Sequence, residues 1–254
     1  MLEKSVLKHL TKLKLKKFRK EELEFVVEGI KGVNDALASD MEVILVVVDG
    51  KLRDEKDFAD IIKKAENKDV VVTYCGRQDI DKIKDTDTFP GILAVVSQKD
   101  SSLDSFDGGP IICLEDIKDP GNLGTIIRTA DWFGFKNILL SSDTVDVYNP
   151  KTVRSTMGSV FHLNFFRTNN LVQTLEKIKK DYGYKLYSLD LKGEDYKKIK
   201  PTEKVVYIFG SESQGISQEL EKIIDKSYSI VGHGQAESLN VAVSVAIVMS
   251  QLSS

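Results

Sequence analysis

The stretch "ESLNVAVSVAIVMSQ", residues 237–251, decides how this chain is read. Behind Glu237 stand Ser238, Leu239 and Asn240, and then eight of nine residues are apolar. Such a run belongs inside a domain, yet it opens on polar side chains and follows "GHGQA" (232–236). Ser238 and Asn240 fall at or just inside a helix start. Side chains there satisfy orphan backbone N–H groups or bind a ligand. His233, between two glycines, reads as an exposed loop residue with no catalytic role.

Two stretches upstream raise the same choice between cap and site. In "DPGNLGTIIRTADWFG" (119–134), Pro120 and Gly121 make a turn and Asn122 reads as the N-cap of a helix. Leu123, Ile126, Ile127, Ala130 and Phe133 form its apolar stripe, with Arg128 nearly opposite. A helix N-terminus after a strand also presents free N–H groups to an anion. In "IFGSESQGIS" (208–217) a buried strand runs into Gly210, Glu212 and Gly215. Small residues at a strand's carboxyl end let a ligand approach the backbone, and Glu212 suits a ribose hydroxyl or a cation. Neither the dinucleotide fingerprint nor the triphosphate loop occurs, which argues against a nucleotide-dependent oxidoreductase.

Around these stretches strand-like and helix-like segments alternate. Residues 24–97 read as a compact α/β unit, with strands near 24–29, 41–50, 69–75 and 90–97. "QKDSSLDSFDGGP" (98–110) breaks all periodicity and reads as a linker. From residue 111 the alternation resumes. Its strands are so apolar that they predict a mainly parallel sheet covered on both faces. The domains expected are therefore 1–97, a linker at 98–110, and 111–254.

At 41% hydrophobic and 30% charged, the 254 residues have the composition of a folded globular chain. No apolar run is long enough to cross a bilayer, and residues 1–20 lack the apolar core of a secretory leader, so no membrane partner is expected. Cys75 and Cys113 show no paired spacing and read as buried thiols of a reducing cytoplasm. Three scattered histidines make a metal site unexpected. Net charge is −3, but residues 1–20 carry eight basic groups and one acid, a local balance of +7. A basic arm on an acidic body is a footprint for phosphates or a solvated amphipathic helix.

Order and type together resemble the SpoU (TrmH) branch of the SPOUT RNA methyltransferases. The resemblance covers about residues 111–252 and all three family motifs. "DPGNLGTIIRTADWFG" is similar to the first, "GSESQG" to the second and "ESLNVAV" to the third; "VRSTMGSVFHLNFF" (153–166) resembles the family's connecting segment. Residues 12–37 resemble the start of the small L7Ae/L30e-like substrate-binding domain of many ribosomal-RNA members. The fold implied is α/β: a C-terminal, trefoil-knotted, parallel-sheet SPOUT domain preceded by a small α/β domain. One departure is Val231–Gly232, where the family has Pro-Met after Ile230.

The resemblance implies methyl transfer from S-adenosylmethionine to a ribose 2′-hydroxyl, with ribosomal RNA favoured over transfer RNA, by a cytoplasmic homodimer without a metal. Gly210, Gly215, Ile230 and Leu239 would hold the cofactor. Asn122, Arg128, Glu212, Ser238 and Asn240 would form the catalytic site. Lys14, Lys16, Lys17, Arg19 and Arg154 would contact RNA. Where the family assigns the first-motif arginine the role of base, a guanidinium offers donors and no lone pair, which argues instead for a phosphate clamp. The alternative reading is a non-catalytic RNA-binding or ribosome-assembly module on the same scaffold.

Overall fold

The structure, a computed structural model, describes residues 1–253 except 86, 100, 101, 107, 201–203, 212 and 213, and omits the side chain of residue 105. The chain runs α1 (Lys4–Leu13), α2 (Lys16–Glu22), β1 (Glu24–Glu28), α3 (Ile30–Ala38), β2 (Val43–Asp49), α4 (Lys56–Glu66), β3 (Val71–Cys75), α5 (Arg77–Ile83) and β4 (Ile92–Ser97). It continues β5 (Ile111–Leu114), α6 (Pro120–Trp132), β6 (Asn137–Ser141), α7 (Pro150–Thr156), β7 (Asn164–Thr168), α8 (Leu171–Tyr182), β8 (Lys185–Asp195), β9 (Val205–Phe209), α9 (Gln218–Glu221), β10 (Lys226–Ser229) and α10 (Val241–Leu252). By contact it forms two compact units, Met1–Asp100 with Asp146–Phe161, and Ser101–Val145 with His162–Ser254. The linear division expected from sequence differs from this at Asp146–Phe161.

The first unit holds a four-stranded sheet in the order β1-β4-β2-β3. β4 runs antiparallel to both β1 and β2, and β2 parallel to β3. β1 alternates buried and half-buried residues, as a half-covered strand should. Leu10 and Leu13 of α1 pack with Val47, Leu93 and Val95 of the sheet. The 3.6-residue spacing of Phe58, Ile61, Ile62 and Ala65 buries one face of α4.

Arg19 corrects the sequence reading. It is 2% exposed, not displayed on a basic arm. Its Nε and Nη2 donate to Asp146 Oδ2 at 3.0 and 2.7 Å. Its Nη1 donates to the carbonyls of Leu13 and Lys14 at 2.9 and 2.8 Å, satisfying the open end of α1. Position 19 lies on the inner side of α2, so the charge is buried and must be paired. Phe25 extends the same seam, with ring centroids 4.5 Å from Tyr148 and 6.1 Å from Phe161.

The second unit is a six-stranded, wholly parallel sheet in the order β10-β8-β9-β5-β6-β7. Every residue of β5, β6 and β9 is buried, because helices cover both faces. Leu175 and Ile178 of α8 join Leu186, Val206 and Ile208 in one core, while α6 and α10 pack on each other. β7 does not stand out in the sequence: "NFFRT" is an edge strand with polar residues at both ends. Its Arg167 spans the turn after β6, donating to the carbonyls of Ser141, Thr144 and Val145 at 2.8, 2.6 and 2.7 Å.

The pairing of β10 with β8 carries a break in register. Ser227 lies opposite Ser188, but the next residue, Tyr228, lies opposite Glu194. The residues of β8 between those partners loop past while β10 advances by one. A Cβ on Gly193 would stand 2.6 Å from the carbonyl of Ser227 and 2.7 Å from the nitrogen of Tyr228. Backbone meets backbone there, so nothing flexible can yield.

Two stability measurements follow. Arg19→Met leaves Asp146 without its partner and should cost roughly 3 kcal/mol in urea unfolding. Gly193→Ala should cost about 1–3 kcal/mol, as overpacking does. An unchanged urea midpoint in either variant contradicts the packing described.

Candidate functional site

The site lies where β9 ends, against the middle of β8 and the start of α10. The carboxyl ends of parallel strands are where open α/β sheets place ligands. A cavity of about 390 Å³ opens there, within the range of small-molecule sites. Gly210, Gly215, Ile230, Ser238 and Leu239 line it together. Leu189, Leu191, Phe209 and Val241 add apolar wall; Asp190, Ser211, Gln214, Glu237 and Ser244 add polar groups. Leu189, Asp190, Leu191 and Ser244 were not singled out from sequence. For the first three the one signal is the strand "YKLYSLDL" running on toward Gly193; Ser244 is the one polar residue in the apolar run of α10.

The second-motif turn is built by backbone. Gly215 donates its N–H to the carbonyl of Ser211 at 2.9 Å and takes φ +67°, the left-handed region that glycine tolerates. A Cβ on Gly210 would overlap the Gly215 carbonyl, so the strand end closes on itself only with glycine at 210. Glu212, between them, lies outside the described residues.

The first and third motifs meet through their asparagines. Asn240 is the N-cap of α10: its Oδ1 accepts from the N–H groups of Ala242 and Val243 at 2.9 and 3.4 Å. Its Nδ2 donates to Asn122 Oδ1 at 3.0 Å, across 118 residues of chain. Asn122 is not itself the N-cap of α6, as its sequence suggested. Asp119 is, accepting from the Asn122 N–H at 2.8 Å, with Pro120 at the first helical position. This shift puts Asn122 inside the first turn, where its side chain reaches across to Asn240. Arg128, two turns along α6, is exposed and has no ion-pair or hydrogen-bond partner among the described residues.

Val231 is exposed and a Cβ on Gly232 would meet nothing within 4 Å. Neither Val231 nor Gly232 is among the residues lining the cavity, while Ile230 is. A larger cavity of about 580 Å³ shares Ser211, Gln214 and Gly215. Its lining includes Glu115, Asp116, Asp143 and Glu219 and no basic residue, a poor match to a phosphate backbone.

Of the residues predicted to touch RNA, Lys14 and Arg154 line one small cleft of the first unit with Glu28 and Asp85. Lys14 donates to the carbonyls of Lys82 and Lys84 at 2.9 and 2.6 Å, and Arg154 pairs with Asp85. With Arg19 buried, these three are engaged by carbonyls and carboxylates within the first unit. Lys16 and Lys17 are exposed, Lys17 beside Glu21 at 3.7 Å.

Fold and site define a two-unit α/β protein with a ligand cavity at the carboxyl edge of a parallel sheet. The chain belongs to the SpoU rRNA methylase family, whose model matches residues 109–250. An MRM3-like substrate-binding domain matches residues 4–94. The chain is 33% identical over 243 residues to the Bacillus subtilis 23S rRNA (guanosine(2553)-2′-O)-methyltransferase RlmP, covering 95% of this chain and 93% of that one. The AdoMet-bound rRNA methyltransferase of Sinorhizobium meliloti superposes with TM-score 0.85 at 30% identity, over 99% of this chain and 95% of that one. The fold is also that of the AdoMet-bound AviRb methyltransferase of Streptomyces viridochromogenes (TM-score 0.89, 22% identity, 99% and 97% covered).

The asparagine pair separates stability from chemistry. Asn240→Asp keeps the cap acceptor beside the positive end of α10 but loses the donor to Asn122. Thermal unfolding should shift by less than about 0.5 kcal/mol while methyl transfer falls at least about tenfold. Asn240→Ala should lose about 1 kcal/mol of stability as well. Full activity in Asn240→Asp would remove the pair from the site.

Proposed function

We propose that the chain methylates a ribose 2′-hydroxyl of ribosomal RNA, using S-adenosylmethionine held at the junction of β8, β9 and α10. The observation that carries this reading is the Asn122–Asn240 bond beside a cavity lined by Gly210, Gly215, Ile230, Ser238 and Leu239. The names of RlmP and of the S. meliloti enzyme, together with the substrate-binding domain, support ribosomal RNA as the target.

The lining fits the cofactor. Leu189, Phe209, Ile230 and Leu239 offer apolar wall to a purine, and the Gly210–Gly215 turn leaves backbone groups within reach. Asp190 and Glu237 supply negative charge suited to cationic groups. S-adenosylmethionine, when bound, supplies a methyl group already activated on a sulfonium, so no metal is needed for the transfer.

The rest of the work falls to this chain. Asn240 holds Asn122, and Asn122 orients the ribose hydroxyl. Arg128 clamps the neighbouring phosphate through its planar fork and stabilises the charge developing on the 2′-oxygen. A guanidinium offers no lone pair, so the proton leaves to a phosphate oxygen or to water. Ser238 lines the pocket beside the reacting groups.

The chain acts as a homodimer, and its sheet is threaded as a trefoil knot. Exposed apolar side chains support the first statement: Trp132 of α6 is 83% exposed and Val243 of α10 46%. Leu239, in the cavity lining, is 44% exposed. A second copy lying on α6 and α10 would cover them. The match to the SpoU rRNA methylase family over residues 109–250 supports the second.

Calorimetric titration with S-adenosylhomocysteine should show one saturable site per chain, and no binding by folded protein would favour the non-catalytic RNA-binding module. Arg128→Lys should keep part of the RNA affinity but lose most turnover, because a point charge cannot replace the fork. Near-full turnover in that variant would sink the clamp. Trp132→Glu should shift the light-scattering mass from two chains toward one.

A further inference from the structure

We infer that the outer face of α1 and α2 is a single-stranded RNA subsite, where one unpaired base stacks on Phe18 while lysines hold its flanking phosphates. The inference rests on the reading of RNA as substrate, and it names a surface that reading left open. Arg19 is buried, and Lys14 and Arg154 are already engaged by carbonyls and a carboxylate of the first unit, which makes them weaker phosphate ligands than the lysines of the α1–α2 face.

A groove of about 430 Å³ runs along this face. Leu7, Leu15 and Phe18 make its floor, and Lys8, Lys12 and Lys82 stand on its rim. None of its lining residues is acidic, in a chain whose net charge is −3. Lys8 and Lys82 form no ion pair among the described residues. Lys8 and Lys12 are one helical turn apart, about 6 Å along the axis, a row that tracks a polyanionic backbone. Leu15 is exposed, so the apolar floor is open to a ligand.

Phe18 supplies the second element of a single-strand site, an aromatic face. The Lys12 ammonium lies 4.9 Å from its ring centroid and that of Lys17 5.8 Å. A base entering over the ring displaces Lys12 from it, and the freed ammonium moves to the adjoining phosphate. Aromatic floor and cationic rim together favour a nucleic-acid strand over an acidic protein helix, which would leave the ring's stacking face unused.

The test uses the full chain and fluorescein-labelled oligouridylate and oligoadenylate ten-mers, read by anisotropy across a salt series. Lys8→Glu with Lys12→Glu should weaken binding at least about tenfold and flatten the log–log salt slope by about 1.4. Phe18→Leu keeps the floor apolar and should weaken binding about five- to a hundredfold; Phe18→Tyr should restore it. S-adenosylhomocysteine affinity should stay unchanged in all of these variants, which shows that the second unit is folded. Unchanged oligonucleotide binding in the charge-reversal and leucine variants overturns the subsite, as does a wild-type chain that binds neither ten-mer. If poly-glutamate competes as well as RNA and Phe18→Leu changes nothing, the groove is a site for acidic protein and the inference fails. Oligonucleotide results as expected, with no methyl transfer by the wild type, would support the groove while striking down the methyltransferase reading alone.

Discussion

A single hydrogen bond, from Asn240 to Asn122, ties together segments 118 residues apart in the chain. One side chain does two jobs there. Its oxygen closes the N-terminus of α10, and its amide nitrogen holds a residue in the first turn of α6. The two helices that pack on each other are thereby tied at their N-terminal ends, next to Ser238, Leu239 and Val241 of the cavity lining. Everything in the proposed chemistry depends on that alignment, because a methyl transfer between fixed partners is governed by position. The same bond explains why a helix as apolar as α10 starts on polar residues.

Glycine enforces the rest of the site by what it leaves out. Gly210 and Gly215 let the end of β9 fold back on itself, and Gly193 lets the backbone of β8 touch that of β10. These contacts are main chain on main chain. The Gly210–Gly215 contact shapes the cavity wall without using side chains, which leaves Leu189, Ile230 and Leu239 to face a ligand. Arginine plays the opposite part in the first unit, where a buried guanidinium gathers carbonyls and a carboxylate from separate segments. A charge in that position is there for its five donors.

Much was legible in the chain itself. The alternation of apolar strands and amphipathic helices read correctly across both halves, because period and composition report burial directly. The family was legible because three short motifs recur in order. β7 was not legible, since an edge strand carries polar residues at both ends. The cap of α6 was misplaced by three residues, because Asp119, Pro120 and Asn122 all suit a helix start and only the fold shows which carbonyl and N–H groups are near. Leu189, Asp190 and Leu191 were missed because nothing local marks the middle of a strand as a cavity wall.

The basic N-terminus shows most clearly where sequence stops and structure begins. Composition by itself determined that positive charge is concentrated there, and periodicity determined that the segment is helical. Which of those charges meet solvent was decided only by the tertiary structure. Arg19 and Lys14 turn inward to carbonyls and Asp146, while Lys8 and Lys12 border an open groove. The reason is physical. A charge costs little in water and much in the interior, so its fate depends on whether partners from distant segments surround it. Distance along the chain carries no information about that.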